Sequence, residues 1–310
     1  MQGFFDELCK CDNPRSKSSI KTYCYNLCWL RKRLDGFEGD DGHPTFESVM
    51  DYMTENNIPL RRQQSSYVAM KVLLNARGKD AESLKYGRPL IDVRNKLEGI
   101  REKQEMTESK SKNWVPFKDL KMIAKQVRTE TYALDKHVMW NKDEYARAQL
   151  AFILTFHLRY PLRRVLCTVK YKPSDASIGN VLDDKTHVIT IRDHKIKRIH
   201  KDPFTFQLDR NMWRLAQLLR MQHSMRGIRE DSPLLLNRYW KPMTRNSFCQ
   251  WLKREMGKFE CCKGKSVGCL MIRNCVISHR RRKEMKLSEK QQFAKDCMHS
   301  AKQNELYRCT

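Results

Sequence analysis

The run CMHSAKQNELYRCT, residues 297–310, sets Tyr307 eight positions after His299. Three basic groupings precede it in a set order: YPLRR at 160–164, RDHKIKR at 192–198 and MIRN at 271–274. Tyrosine is a poor nucleophile, whereas arginine and lysine are natural grips for phosphate. A tyrosine behind several spaced basic groups points to covalent attack on a phosphodiester.

Cutting a DNA strand without a metal sets three demands. A hydroxyl attacks phosphorus, fixed donors hold the extra charge on the phosphoryl oxygens, and the leaving 5′ oxygen takes a proton. Arginine suits the second task because its rigid fork bonds two oxygens at once. Losing one preorganised donor of this kind costs about 10²–10³ in rate. Lysine can supply the proton when neighbouring cations lower its pKa. Tyrosine can form a covalent intermediate that keeps the bond energy for religation.

Composition agrees with a nucleic-acid partner. The chain has 310 residues, enough for two domains with their own cores. Lys and Arg number 61 against 36 Asp and Glu, a formal net charge of +25. Residues 1–112 hold 20 basic and 17 acidic side chains, and residues 113–310 hold 41 and 19, so the excess lies in the second part. A domain of that charge is drawn to a polyanion. The longest apolar run, 150–156, is too short to span a membrane, and no basic amphipathic anchor stands out. The N-terminal MQGFFDELCKCDN lacks the pattern of a signal peptide. The 12 cysteines therefore read as thiols of a reducing, intracellular compartment. Cys9 and Cys11, or Cys261, Cys262 and Cys269, lack the paired spacing and matching histidines of a zinc site.

Periodicity predicts a mostly α chain with one small sheet. Ile20, Tyr23, Leu27, Leu30 and Leu34 share a helical face behind the cap candidates Ser18 and Ser19. Phe46, Val49, Met50 and Met53 form a second face, Met70, Leu73 and Leu74 a third, and Leu90, Val93, Leu97 and Ile100 a fourth, giving a four-helix unit. The polar stretch at 105–113 reads as a linker. Pro116 suits the first turn of a new helix carried by Leu120, Ile123, Ala124 and Val127. Residues 145–157 are apolar nearly all round and predict a buried central helix. At 188–191, and at Phe204, Phe206 and Leu208, the period becomes that of strands, which predicts a hairpin across the lysine-rich segment. Helical spacing resumes at Met212, Leu215 and Leu219, and at Phe248, Trp251 and Leu252 behind the cap candidate Thr244. Ser288 with Gln291 resembles a capping box ahead of Phe293, Ala294, Cys297 and Met298.

The ordered motifs resemble those of the tyrosine recombinases, the phage-type integrases that break and rejoin DNA. The chain looks closest to divergent members from eukaryotic viruses and mobile elements, and the resemblance covers nearly its whole length. It implies a two-domain DNA clamp. Residues 1–104 would be a helical, SAM-like core-binding domain, with SSIKTYCYNLCWL similar to its first helix. Residues 105–113 would be a linker and 114–310 an α+β catalytic domain. Arg163 resembles the first catalytic arginine, which in the family directly follows a Pro/Gly-Leu pair, so Arg164 is passed over. Lys195 sits where the family keeps its catalytic lysine, with Lys197 competing because the register of the turn is open. Arg273 resembles the second arginine, His299 the third-box histidine and Tyr307 the nucleophile, while His279 matches a histidine that is usually structural.

Carried over, these roles give a 3′-phosphotyrosyl link made by Tyr307 and a phosphate clamped by Arg163 and Arg273. Lys195 protonates the leaving oxygen, and His299 assists the phosphate or the tyrosine. No metal or other cofactor and no small-molecule substrate is implied. The partners are duplex DNA and further copies of the chain in a DNA-assembled homotetramer. The location is intracellular and DNA-associated, in the nucleus or a viral replication site if the host is eukaryotic. Two positions depart from the family. Leu270 stands where a histidine often precedes the second arginine by three, and Leu166 where an acidic residue often follows the first by three. These losses keep two other readings open, a catalytically silent DNA-binding protein of the same fold and a DNA-relaxing enzyme of the type IB topoisomerase kind.

Overall fold

Helices dominate both units into which the chain divides, Met1–Lys103 and Gln104–Thr310. The structure, a computed structural model, describes residues 2–10, 17–37, 42–103, 106–171, 179–194, 201–280 and 285–298.

In the first unit the described residues form α1 (Gln2–Lys10), α2 (Lys17–Arg31), α3 (Phe46–Glu55), α4 (Leu60–Ala76), α5 (Asp80–Lys85) and α6 (Gly87–Glu102). Ile20, Leu27 and Leu30 of α2 are buried with Val49 and Met53, Met70, Leu73 and Leu74, and Leu90, Val93 and Leu97. Each such side chain contributes about 1.5–3 kcal/mol on burial, so these stripes hold the unit together. Helix α4 packs against both α2 and α6, and α1 leans on α2 and α4. Thr45 caps α3 by accepting from the Ser48 N–H at 3.1 Å.

Here the structure differs from the sequence reading in four places. Helices α1 and α5 add to the expected four; at nine and six residues they are too short to show a periodic stripe, although α1 buries Phe4 and Leu8. Helix α2 starts at Lys17, so Ser18 and Ser19 lie in its first turn rather than capping it. Leu34 follows the helix end, where its N–H still bonds the Leu30 carbonyl at 3.0 Å and turns the side chain onto the core. Ile100 is 51% exposed in the last turn of α6, beyond the residues that neighbouring helices cover.

The second unit opens with α7 (Glu108–Lys112), a short helix inside the stretch read as a linker, capped by Thr107. Helix α8 (Phe117–Ala133) follows, with Pro116 at its cap position and Leu120, Ile123, Ala124 and Val127 buried. Helix α9 (Lys142–Arg159) runs through the core, and Tyr145 and all of residues 148–157 are buried. The Asn141 side chain accepts from Asp143 N and Glu144 N, and Glu144 answers by accepting from Asn141 N at 2.7 Å. Next come a 3-10 turn (Arg164–Thr168), β1 (Val169–Lys170), β2 (Asn180–Asp183), β3 (Val188–Ile191) and β4 (Phe204–Gln207).

The strand order is β1-β2-β3-β4; β1 and β2 run parallel and the other neighbours antiparallel. The β3–β4 register pairs Ile189 with Phe206 and Ile191 with Phe204, which puts the apolar side of the expected hairpin into the core. Strands β1 and β2 were not foreseen: with two and four residues they show no alternation. The unit closes with α10 (Arg210–Met225), α11 (Arg245–Met256), α12 (Cys269–Arg280) and α13 (Leu287–Asp296). Thr244 caps α11 by accepting from Ser247 N at 3.1 Å. Helix α13 begins before Ser288, so the expected Ser288–Gln291 box is replaced by Lys286 N donating to the Glu289 carboxylate at 3.0 Å.

Candidate active site

Helix α9 ends at Tyr160, where Pro161 cannot continue the ladder. The chain then turns tightly, with Leu162 N donating to the Tyr160 carbonyl at 2.7 Å. Leu162 drops into the core, Arg163 is half-buried and Arg164 is exposed as the 3-10 turn begins. Val165, Leu166 and Cys167 then return to the core. Leu162 and Leu166 thus anchor both sides of Arg163, and Leu166 serves packing where a carboxylate could have oriented the guanidinium.

Arg273 lies in the middle of α12 and is only 1% exposed, the largest fully buried side chain among the described residues. Its Nη2 donates to the carbonyl oxygen of Cys297 at 2.6 Å. A buried guanidinium is expensive unless bonded, so this contact helps to fix where the chain passes just before residues 299–310. At the other end of α12, Arg280 Nη1 donates to the Arg159 carbonyl at 2.8 Å, tying α12 to the end of α9. His279 stacks on Phe117 at 3.9 Å between ring centres, a packing role. Leu270 is 61% exposed on α12 and offers no proton donor or acceptor.

His157 lies in the last turn of α9 and is 0% exposed. Its Nδ1 pairs with the Ile153 carbonyl at 2.9 Å. Burial above all, and then the positive charge of Arg273, hold its pKa down to about 4, against the pull of the Ile153 and Leu162 carbonyls.

The lysine hairpin is gripped at its entry by Asn180, buried at 3% exposure. The Asn180 Oδ1 accepts from Arg192 N and Asp193 N, each at 2.9 Å, and its Nδ2 donates to Thr168 Oγ1 at 2.7 Å. Thr168 closes the 3-10 turn that Arg163 precedes, so one carboxamide joins that turn to the start of the hairpin. Arg245 adds a bond to the Asp193 carboxylate at 2.8 Å, and buried His194 meets Phe204 edge-on. Lys195, Lys197, His299 and Tyr307 lie outside the described residues.

Sequence reasoning passed over His157 and Asn180. A histidine inside an otherwise apolar helix was the available signal for the first. Asn180 had none, because its partners, the Thr168 hydroxyl and two backbone N–H groups, lie 12 or 13 residues away. An open concavity of about 820 Å³ lined by Glu130, Trp140, Arg147 and Trp240 contains neither Arg163 nor Arg273. Among the described residues no group of three or more His, Cys, Asp or Glu could hold a metal ion, and no helix is long and apolar enough to cross a membrane.

No protein-family model matches the chain, and no curated protein does. Solved structures do. XerH site-specific recombinase bound to difH substrate, in a pre-cleavage complex, aligns with a TM-score of 0.57 at 12% identity over 98% of this chain and 80% of that one. Its post-cleavage complex on palindromic difH aligns at 0.56 and 11% identity over 94% and 76%. The Tn1549 transposon integrase in complex with transposon right end DNA aligns at 0.56 and 12% identity over 100% and 94%. At this identity the likeness is one of fold, and the chain has the tyrosine recombinase fold.

Proposed function

We propose that this chain is a site-specific DNA recombinase or integrase that cuts and rejoins duplex DNA through a 3′-phosphotyrosyl intermediate. Tyr307 is the nucleophile. Arg163 and Arg273 clamp the non-bridging oxygens, Lys195 protonates the leaving 5′ oxygen, and His299 bonds the phosphate or helps deprotonate the tyrosine. Residues 1–104 act as the core-binding domain and 114–310 as the catalytic domain, joined by the linker at 105–113. The reaction uses no metal or nucleotide, and strand exchange takes place in a tetramer assembled on DNA, inside the cell.

The observation that carries this reading is a fold shared with DNA-bound recombinases, in whose second unit both the Arg163 turn and the buried Arg273 lie. The net charge of +25 supports a polyanionic partner held with steep salt dependence. A second reading, a silent DNA-binding protein of this fold, is favoured by the solvent-facing Leu270.

One experiment separates the readings. Nicked suicide DNA from the flanks of the gene is incubated with the protein and scored for a covalent adduct. The wild type should form the adduct, and Tyr307→Phe should bind DNA without forming it. Binding without an adduct in the wild type would establish the silent reading. Relaxation of supercoils with no need for paired sites would instead indicate a topoisomerase.

A further inference from the structure

Helix α13 rests on α12 along one stripe. Arg273, Ile277 and Arg280 are spaced i, i+4 and i+7, so they share a face of α12. Each meets α13 or its C-cap residue. Arg273 donates to the Cys297 carbonyl at 2.6 Å. Ile277 is buried with Phe293 and Cys297 in a small apolar cluster, apart from the main core, with Met285 packed beside it. The Arg280 guanidinium lies over the Phe293 ring, 5.4 Å from its centre. Apolar contact is non-directional, so so small a cluster does little to aim a helix. The polar ties at 273 and 280 supply the direction.

Arg280 also reaches a third helix. Its Nη1 donates to the Arg159 carbonyl at 2.8 Å, an oxygen in the last turn of α9, where the helix has no N–H of its own to offer. Arg280 is itself the last residue of α12. Its charge thus sits at the C-terminal ends of two helices, where the backbone dipoles favour a cation. Four residues beyond Arg159 stands Arg163, and the chain beyond α13 carries His299 and Tyr307. We propose that Arg280 is a positioning residue: it seats α13 against the end of α9, and so sets the segment that carries the nucleophile relative to the turn that carries the first arginine. It acts through the Phe293 ring and the Arg159 carbonyl, not by gripping phosphate. Its consequence for cleavage rests on the readings of Arg163 and Tyr307, whereas the seating of α13 does not.

The test uses Arg280→Ala, Phe293→Leu and the double variant in the full-length chain. Arg280 is exposed, so its loss leaves the core packed. Amide hydrogen exchange is followed over residues 287–297, with α8 as the reference. Arg280→Ala should speed exchange of α13 about tenfold and leave α8 unchanged. The effect of the double variant should fall short of the product of the two single effects, as expected when two side chains act through one contact. Unchanged exchange of α13 in Arg280→Ala, or effects that simply multiply, would overturn the proposal.

Single-turnover cleavage of nicked suicide DNA and the Kd for the same duplex separate positioning from direct contact. Arg280→Ala should form the adduct about tenfold more slowly, the cost of a displaced nucleophile, with Kd changed less than about twofold. A Kd weakened about tenfold, with cleavage at saturating DNA intact, would make Arg280 a phosphate contact and overturn the proposal. If the wild type forms no adduct, the nucleophile reading fails instead, and the exchange of α13 alone decides whether Arg280 seats it.

Discussion

Arg273 donates from Nη2 to the carbonyl oxygen of Cys297 across 2.6 Å, from the middle of α12 to the residue just after α13. The same side chain is thereby a structural tie and a candidate phosphate grip. Replacing it with lysine keeps the charge but loses the fork. Arg273→Lys should lower stability by about 1–3 kcal/mol, as expected when a buried acceptor loses its donor. Its adduct formation should fall about 10²–10³-fold. Urea denaturation and single-turnover cleavage read the two effects separately. A variant with full stability and full activity would contradict both assignments.

Asn180 concentrates four hydrogen bonds with distant backbone and side-chain groups in one buried carboxamide. Asn180→Leu fills similar space but leaves the Arg192 and Asp193 N–H groups without their acceptor. We expect a loss of about 2–4 kcal/mol in chemical denaturation, and Asn180→Asp, which keeps the acceptor and forfeits the Nδ2 bonds to Thr168 and, at 3.5 Å, to the Asp193 carbonyl, should lose less. Equal effects would show that the two backbone bonds carry little of the stability.

Two buried histidines give the second unit a defined acid sensitivity. His157 and His223 both have pKa values held down to about 4 by burial first and by a neighbouring arginine second, Arg273 and Arg226 respectively. His223 also pairs with the Tyr145 hydroxyl at 2.6 Å. In the unfolded chain the same side chains protonate near their ordinary value of 6.5. Between those limits the unfolded state binds more protons than the folded one, so stability falls as pH drops from 6.5 toward 4 and is flat above. The slope should approach about 1.4 kcal/mol per pH unit for each histidine. Thermal unfolding at pH 7.5, 6 and 5 checks this, and His223→Gln should flatten the slope. An unaltered slope in that variant would mean that His223 already protonates normally in the folded state.

The two hairpin lysines are separated by chemistry rather than by binding. If Lys195 is the general acid, Lys195→Ala should slow cleavage of ordinary DNA far more than Lys197→Ala. The defect should shrink on DNA whose leaving 5′ oxygen is replaced by sulfur, since a thiolate departs without a proton. Rescue of the Lys197 variant instead would move the role two residues along the chain. Rescue of neither would remove the acid from this hairpin.

Most long elements were legible in the sequence because their burial is periodic. The α9 core, the stripes of α3, α4 and α8, the caps at Thr244 and the β3–β4 hairpin all follow from local spacing and side-chain chemistry. What escaped was short or non-local. Helices α1 and α5 and strands β1 and β2 span too few residues to repeat a pattern. The start of α13 was misread because Glu289, rather than Ser288, supplies the side chain that satisfies the first turn.

For the site, the sequence by itself determined which residue types are present and in what order: Arg163, a lysine segment, Arg273, then His299 and Tyr307. Order along a chain says nothing about burial. Only the tertiary structure decided that Leu162 and Leu166 hold Arg163 at the edge of the core and that Arg273 is enclosed rather than exposed. It also decided that His157, in a helix with apolar neighbours, is wholly enclosed. The physical reason is that a buried polar group must find its partners wherever the fold brings them. Arg273 reaches a carbonyl 24 residues later, and Asn180 accepts from two backbone N–H groups 12 and 13 residues on.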